Sequence, residues 1–358
     1  MIALNEYNLG RKVKVMQTID EPAKKIPIAE EADICVLGGS CTGVFAAVRA
    51  ARMGAKVVIV ERQNCFGGVA TLGLVNIWHS LYDAEYKRQV IAGLTLEVVE
   101  RLQKRFAVQR IANSSSVGFK LNTEELKIEL DQLLLESKVK PYLHSFYVAP
   151  LVDGDTVKAV IIENKSGRQA IKAKMFIDAT GDGDLCRHLG LAHYRAEAIQ
   201  PPTICAKLYH DAELNFDWQG AIAQHGAEFG LPEDWGWRSS VPGLPNIFMH
   251  AETHVFDVDC ADAEQLTYSE MEGRRQIRAL MDLAREYGQA DPLALVSLPA
   301  AIGIRETWHI KTLHQLTDRQ LLGGVNFKMP SLLAATALTF IMRMAKGSRL
   351  SIWTARKR

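Results

Sequence analysis

Cysteine is scarce in this 358-residue chain, and what there is lies scattered. Cys35, Cys41, Cys65, Cys186, Cys205 and Cys260 never form a C-x-x-C pair. That spacing excludes the usual zinc and iron–sulfur cages and leads to the expectation of a reducing, cytoplasmic compartment. Neither sign of charge is in excess. The 42 Lys and Arg against 41 Asp and Glu leave +1, so no basic field points to nucleic acid or a membrane surface. No uncharged apolar run reaches membrane-spanning length, and residues 1–31 are polar and mixed in charge, without the apolar centre of a signal peptide. The chain is longer than one core usually allows, so two domains are expected.

The stretch that organises the rest is residues 32–62, ADICVLGGSCTGVFAAVRAARMGAKVVIVER. Asp33 to Leu37 is a short apolar run suited to a buried parallel strand. Gly38, Gly39, Ser40, Cys41, Thr42 and Gly43 make a turn. Val44 to Met53 then has helical spacing, with Val44, Ala47, Val48 and Ala51 on one face. Gly54 is a helix stop, Lys56 to Val60 a second strand, and Glu61 lies at its end. A strand, a glycine turn and a helix in this order form a dinucleotide-binding unit, with a pyrophosphate expected at the helix N-terminus. The turn reads G-x-S-x-x-G, with Ser40 where a glycine normally lets backbone approach the phosphates. Its hydroxyl can bond a phosphate oxygen instead. Glu61 follows roughly 20 residues after the turn, where an acid accepts ribose hydroxyls. An ordinary strand–helix–strand unit without ligand stays open at this point.

After Glu61 and Arg62 come a glycine pair, Gly67 and Gly68, and then Thr71. The run from Asp33 to Thr71 resembles the FAD-dependent oxidoreductases of the two-dinucleotide-binding-fold superfamily. The resemblance implies that the glycine turn, the ribose acid and the glycine pair all serve FAD. Two later segments carry it further. Thr180-Gly181-Asp182-Gly183-Asp184 is similar to the A-T-G-D turn that closes the family's FAD site, and Ile302-Gly303-Ile304-Arg305-Glu306-Thr307 to its G-I-R-E-T segment. Trp308 stands where the family often has arginine. The cofactor-binding set implied is Gly38, Gly39, Ser40, Cys41, Thr42, Gly43, Glu61, Arg62, Gly67, Gly68, Thr71, Thr180, Gly181 and Asp182.

Other residues carry weaker signals. Cys41 at a helix start invites a lowered pKa and a redox pair with Cys65; small buried cysteines are the plainer reading. Asp182 and Asp184 lack the rest of a calcium ligand series, so no metal is expected. Arg305 is either half of a structural ion pair with Glu306 or a fork for a substrate carboxylate. His79, shortly after the glycine pair, is a candidate for passing a proton. His210, His250 and His254 show no ligand spacing and read as surface or core histidines. Trp218, Trp235 and Trp237 read as structural.

The remaining pattern predicts helices over Asp83–Arg105 and Asn122–Lys138, with Leu126, Ile128, Leu130, Leu133, Leu134 and Leu135 as the apolar positions of the second. It predicts meander strands at Leu143–Pro150, Thr156–Glu163 and Gln169–Ala173, and a separate buried strand at Met175–Ala179. Strands at Pro201–Asp211 and Asn246–Asp259 and a helix at Ala263–Tyr287 follow.

The fold expected is α/β: a Rossmann-like FAD-binding domain, parallel sheet plus β-meander, with an inserted α+β cap. The boundaries expected are an extension at 1–30, the FAD-binding domain at 31–190, the cap or substrate domain at 191–300, a return segment at 301–328 and an aberrant tail at 329–358. The tail has six basic residues and no acid. It reads as a frameshifted continuation of a longer gene, with an amphipathic helix over 332–344 as the alternative. The function implied by the resemblance is oxidation of a small-molecule substrate: the flavin N5 takes a hydride, then passes electrons to an unidentified acceptor. Nucleic acid and membrane are not expected partners. A nucleotide-binding remnant and an NAD-dependent dehydrogenase are the alternatives, and the glycine pair argues against the second.

Overall fold

The computed structural model describes residues 17–79, 81–82, 87, 89, 91–111, 118–211, 214–234 and 236–313, and the backbone of two further strands. Strand β1 (Ile28–Leu37) leads into helix α1 (Cys41–Arg52) and strand β2 (Val57–Val60). β1 begins five residues earlier than its apolar run because residues 28–32 pair with a later strand. The alternation of side chains splits these strands between two cores. Val36, Val57 and Ile59 face the helices, while Cys35, Leu37, Val58 and Val60 face the other way.

After β3 (Ile77–Trp78), helix α2 (Leu94–Gln103) is half the length its pattern predicts, since Gly93 precedes it and a Tyr82–Gln89 bridge lies upstream. β5 (Phe119–Leu121) pairs antiparallel with both β3 and β4 (Val108–Arg110) in a small sheet ordered β3-β5-β4. Helix α3 (Thr123–Glu136) is capped by Asn122, whose Oδ1 accepts from the Glu124 amide at 3.1 Å. Leu126, Leu130, Leu133 and Leu134 are buried at helical spacing, but Ile128 and Leu135 point to solvent. β6 (Lys140–Tyr142), β7 (Phe146–Asp153), β8 (Thr156–Asn164) and β9 (Gly167–Asp178) complete the main sheet. The two strands expected at Gln169–Ala173 and Met175–Ala179 are one. β9 is long enough to pair antiparallel with β8 in its first half and parallel with β1 along its length. The sheet order is β6-β2-β1-β9-β8-β7, parallel across the first four strands.

Helix α4 (Asp184–His188) and the short β10 (His193–Tyr194) lead into a second layer. There β11 (Ala206–His210), β12 (Trp237–Val241), β13 (Leu244–Ala251) and β14 (Leu293–Ser297) form an antiparallel sheet ordered β12-β13-β11-β14. Helices α5 (Trp218–His225) and α6 (Ala263–Gly288) cover it. Ile277, Leu280, Leu283 and Ala284 of α6 pack with Trp218 and with Ile204, Ala206 and Leu208. This layer is tied to the first by polar contacts. The Asn122 amide donates to Pro242 O at 3.1 Å, and Lys207 Nζ meets Glu124 Oε1 at 2.7 Å. Burial alone raises the Glu124 pKa, but Lys127 and Lys207 outweigh it and bring it down to about 2.

β15 (His309–Ile310) returns the chain to β10. The readings made for the tail fall largely outside the described residues. Within it, β16 (Thr339–Met342) and β17 (Ser351–Thr354) pair antiparallel, so these four residues of the 332–344 segment are strand and not helix. Trp235 also lies outside the described residues. Among the described residues, no helix is long and apolar enough to cross a membrane.

Candidate active site

The two glycine turns meet at the C-terminal ends of β1 and β9. Gly38 has φ +94°, and a Cβ there would lie 2.3 Å from Ala179 O. A Cβ on Gly43 would lie 2.0 Å from Gly38 O, so α1 can cross this close to its strand only without one. Ser40 caps α1: its Oγ accepts from the Gly43 amide at 3.4 Å. That leaves the hydroxyl hydrogen as the donor available to an anion. Glu61 is buried, with Oε2 accepting from Gly39 N at 2.6 Å and Oε1 from Gln63 N at 2.9 Å. The acid therefore pins the backbone of the turn, and a carboxylate with two such bonds still has lone pairs for further donors.

The glycine pair docks on this turn. Gly67 N donates to Gly39 O at 2.8 Å, and Thr71 Oγ1 donates to Phe66 O at 2.7 Å to hold the loop from behind. The second turn is organised by Asp178, a residue the sequence reading does not single out. Its carboxylate accepts from Thr180 Oγ1 at 2.7 Å and from Cys186 N at 3.1 Å. Asp182 is reached by Thr307 Oγ1 at 2.9 Å, which ties the returning segment to this turn. Arg62 lies 3.9 Å from Asp182.

A cavity of about 260 Å³ runs between these pieces, with Gly38–Ser40, Glu61, Gly68, Thr180–Asp182 and Arg305 in its wall. A second space of about 100 Å³ continues from Gly38, Glu61, Arg62 and Thr180 toward Ser145 and Tyr147. Of the residues expected at a cofactor, Gly38, Gly39, Ser40, Glu61, Arg62, Gly68, Thr180, Gly181 and Asp182 line this space. Cys41, Thr42, Gly43, Gly67 and Thr71 lie behind or beside it. Burial pushes the Cys41 thiol up to about 12, opposite to the lowering that a helix start suggested, and it also raises Cys65. Cys41 Sγ meets Gly67 O and Cys65 Sγ meets Thr71 Oγ1, so neither thiol is directed at the other.

At the far end of the cavity Arg305 does not pair with Glu306. The Glu306 carboxylate accepts from Gln200 N at 3.0 Å and faces His309 Nε2 at 2.7 Å. Arg305 Nη2 instead donates to Thr203 Oγ1 at 2.6 Å and lies 3.2 Å from His254 Nε2. Arg305 is exposed where it opens onto the cavity, and partial desolvation by the protein around it lowers its pKa. His79 follows β3, close enough to feel the Arg305 charge, but it is not among the residues that line the cavity. Burial first, and the Arg305 charge second, hold its pKa below 6.5. His210, His250 and His254 are all core histidines, buried in the second layer.

The shape and chemistry of this space fit a dinucleotide. A side chain at Gly38 or Gly43 would block the turn, an acid stands at one end, and a helix N-terminus faces the middle. A family model described as FAD dependent oxidoreductase matches residues 33–331. Among curated proteins, a mitochondrial dihydrolipoyl dehydrogenase of Schizosaccharomyces pombe is 26% identical over 162 residues, 42% of this chain and 28% of that protein. A dihydrolipoyl dehydrogenase of Trypanosoma brucei brucei is 28% identical over 167 residues, 43% and 31% respectively. This chain thus spans less than a third of the length of either. Among solved structures, a p-nitrophenol 4-monooxygenase from Pseudomonas putida superposes with a TM-score of 0.49 at 12% identity, covering 75% of this chain and 66% of that one. The match over most of its length makes this chain a member of the FAD dependent oxidoreductase family.

Proposed function

We propose that the protein oxidises a small carboxylate-bearing substrate with bound FAD, using a nucleotide-binding layer at 31–190 and a cap at 191–300 that closes over the flavin end. The observation that carries this reading is the single cavity running from Glu61, through the glycine turns, to Arg305. Glu61 would hold the adenosine ribose, with its negative charge opposing the 2′-phosphate of NADP. The Gly38–Ser40 backbone and the start of α1 would hold the pyrophosphate, and Thr180–Asp182 would close it from the β9 side. When bound, FAD supplies two-electron chemistry that no side chain of this site offers.

The chain's own residues do the rest. Arg305 meets the substrate carboxylate with the guanidinium donors that Thr203 and His254 leave unused, at the end of the cavity away from Glu61. His79 is the proton acceptor of this reading: burial first, and the charge of Arg305 second, favour its neutral form. In Arg305→Lys a single ammonium cannot keep Thr203 and His254 and also present the same donors to a carboxylate, so carboxylate binding and turnover should fall at least tenfold while FAD stays bound. Turnover of an active carboxylate substrate at the wild-type rate in Arg305→Lys would remove Arg305 from the mechanism.

A further inference from the structure

Three segments cross beneath Arg305. Thr203 pairs through its backbone with both His254 and Gly303, and its amide donates to Gly303 O at 3.0 Å. The crossing fixes the backbone on either side of the guanidinium. His254 is 1% exposed, and its Nδ1 lies 2.9 Å from Oδ2 of Asp234, which is 5% exposed. Its Nε2 lies 3.2 Å from Arg305 Nη2. A guanidinium has donors only, so Nε2 must present a lone pair, and the ring hydrogen must then sit on Nδ1 and be donated to Asp234. Neither His254 nor Asp234 lines the cavity; Arg305 does.

We propose that His254 and Asp234 are positioning residues for Arg305: Asp234 holds His254 as its Nδ1–H tautomer, and His254 Nε2 with Thr203 Oγ1 then fixes the Nη2 amino group, so that the guanidinium donors they leave unused serve a carboxylate in the cavity. The arrangement follows the rule by which a carboxylate sets the tautomer of a working histidine. It rests on the carboxylate reading given above, but its core, the tautomer, is measurable without any ligand. Holding the guanidinium in place beforehand lowers the ordering cost of binding an anion.

The experiment uses the full chain loaded with FAD and labelled with 15N-histidine. A two-bond 1H–15N correlation spectrum, with His254 assigned from its loss in His254→Gln, should show the Nδ1–H form at pH 7. An Nε2–H form or an imidazolium would overturn the inference, whatever the ligand results. In parallel, calorimetric titration with acetate, malonate, succinate and benzoate should show wild-type binding that is lost in Arg305→Ala. Binding should be kept within about threefold in His254→Gln, where an amide oxygen remains to accept. It should weaken at least tenfold in the His254→Leu, Asp234→Asn double variant, which leaves no buried unpaired charge and so remains a fair test of fold. Wild-type affinity in that double variant would overturn the inference. Equal carboxylate binding by Arg305→Ala, with the expected tautomer intact, would instead sink only the carboxylate reading.

Discussion

The turn at Gly38–Gly43 and the cluster around Arg305 stand apart along one cavity and are built in opposite ways. The turn is local. Its strand, glycines, helix and Glu61 come from about thirty consecutive residues, and its tightest constraint is the 2.0 Å that a Cβ on Gly43 would leave to Gly38 O. The Arg305 cluster is assembled from residues 203, 234, 254 and 305, held by backbone bridges between segments far apart in sequence. The first is a shape that excludes side chains. The second is a chain of donors and acceptors, each setting the next. Damage to the first should therefore cost fold and cofactor together, and damage to the second should cost substrate recognition alone.

The largest effect should come from Gly43→Ala. The new methyl meets backbone that cannot move aside, so stability should fall by about 3 kcal/mol, and the purified protein should lose its flavin; calorimetry and the absorbance ratio of flavin to protein check both. Next is Glu61→Gln. It weakens the charge-assisted bond from Gly39 N and the hold on the ribose by ~1–2 kcal/mol, roughly tenfold in the FAD dissociation constant. Tight NADP binding without FAD binding in the parent protein would contradict the assignment of Glu61. Thr203→Val tests the other end. It removes a 2.6 Å bond to Arg305, so carboxylate affinity should drop by about 1 kcal/mol, roughly fivefold, with FAD affinity unchanged. Loss of FAD in this variant would erase the distinction between the two ends.

The smallest effect is in pH dependence. His79 has its folded pKa below 6.5, first from burial and then from the charge of Arg305. A rate that needs neutral His79 should hold above that value and fall only as pH drops through the lowered one. Removing the charge with Arg305→Gln should move the acid limb upward. The same sign governs stability at His210, whose pKa burial also lowers. The folded state there binds fewer protons than the unfolded one, so its contribution is present above about 6.5 and lost on acidification. A His210→Asn variant should show a flatter stability profile between pH 5 and 7.

How much of this was legible in the sequence follows from the same difference. The glycine turn, Glu61 and the Thr180 turn could be read because local sterics dictate glycine, and a single strand end dictates the acid. Period-two and helical patterns placed most of the elements. They failed where tertiary pairing decides: β9 is one strand because β1 and β8 both run along it, and Ile128 is exposed although it fits an apolar count. Arg305 was visible as a fork but not its partners. Nothing local marks Thr203, Asp234 or His254, since their roles exist only once three segments cross. Asp178 had a local signal, because an acid ending a strand two residues before Thr180 is placed to cap the next turn.

The most direct test of the whole account is a titration of the purified chain with FAD, followed by flavin absorbance and protein melting temperature. Saturable binding with a perturbed flavin spectrum is expected, together with a rise in melting temperature that Gly43→Ala abolishes and Thr203→Val leaves intact. A spectrum of free FAD and an unchanged melting temperature would contradict it.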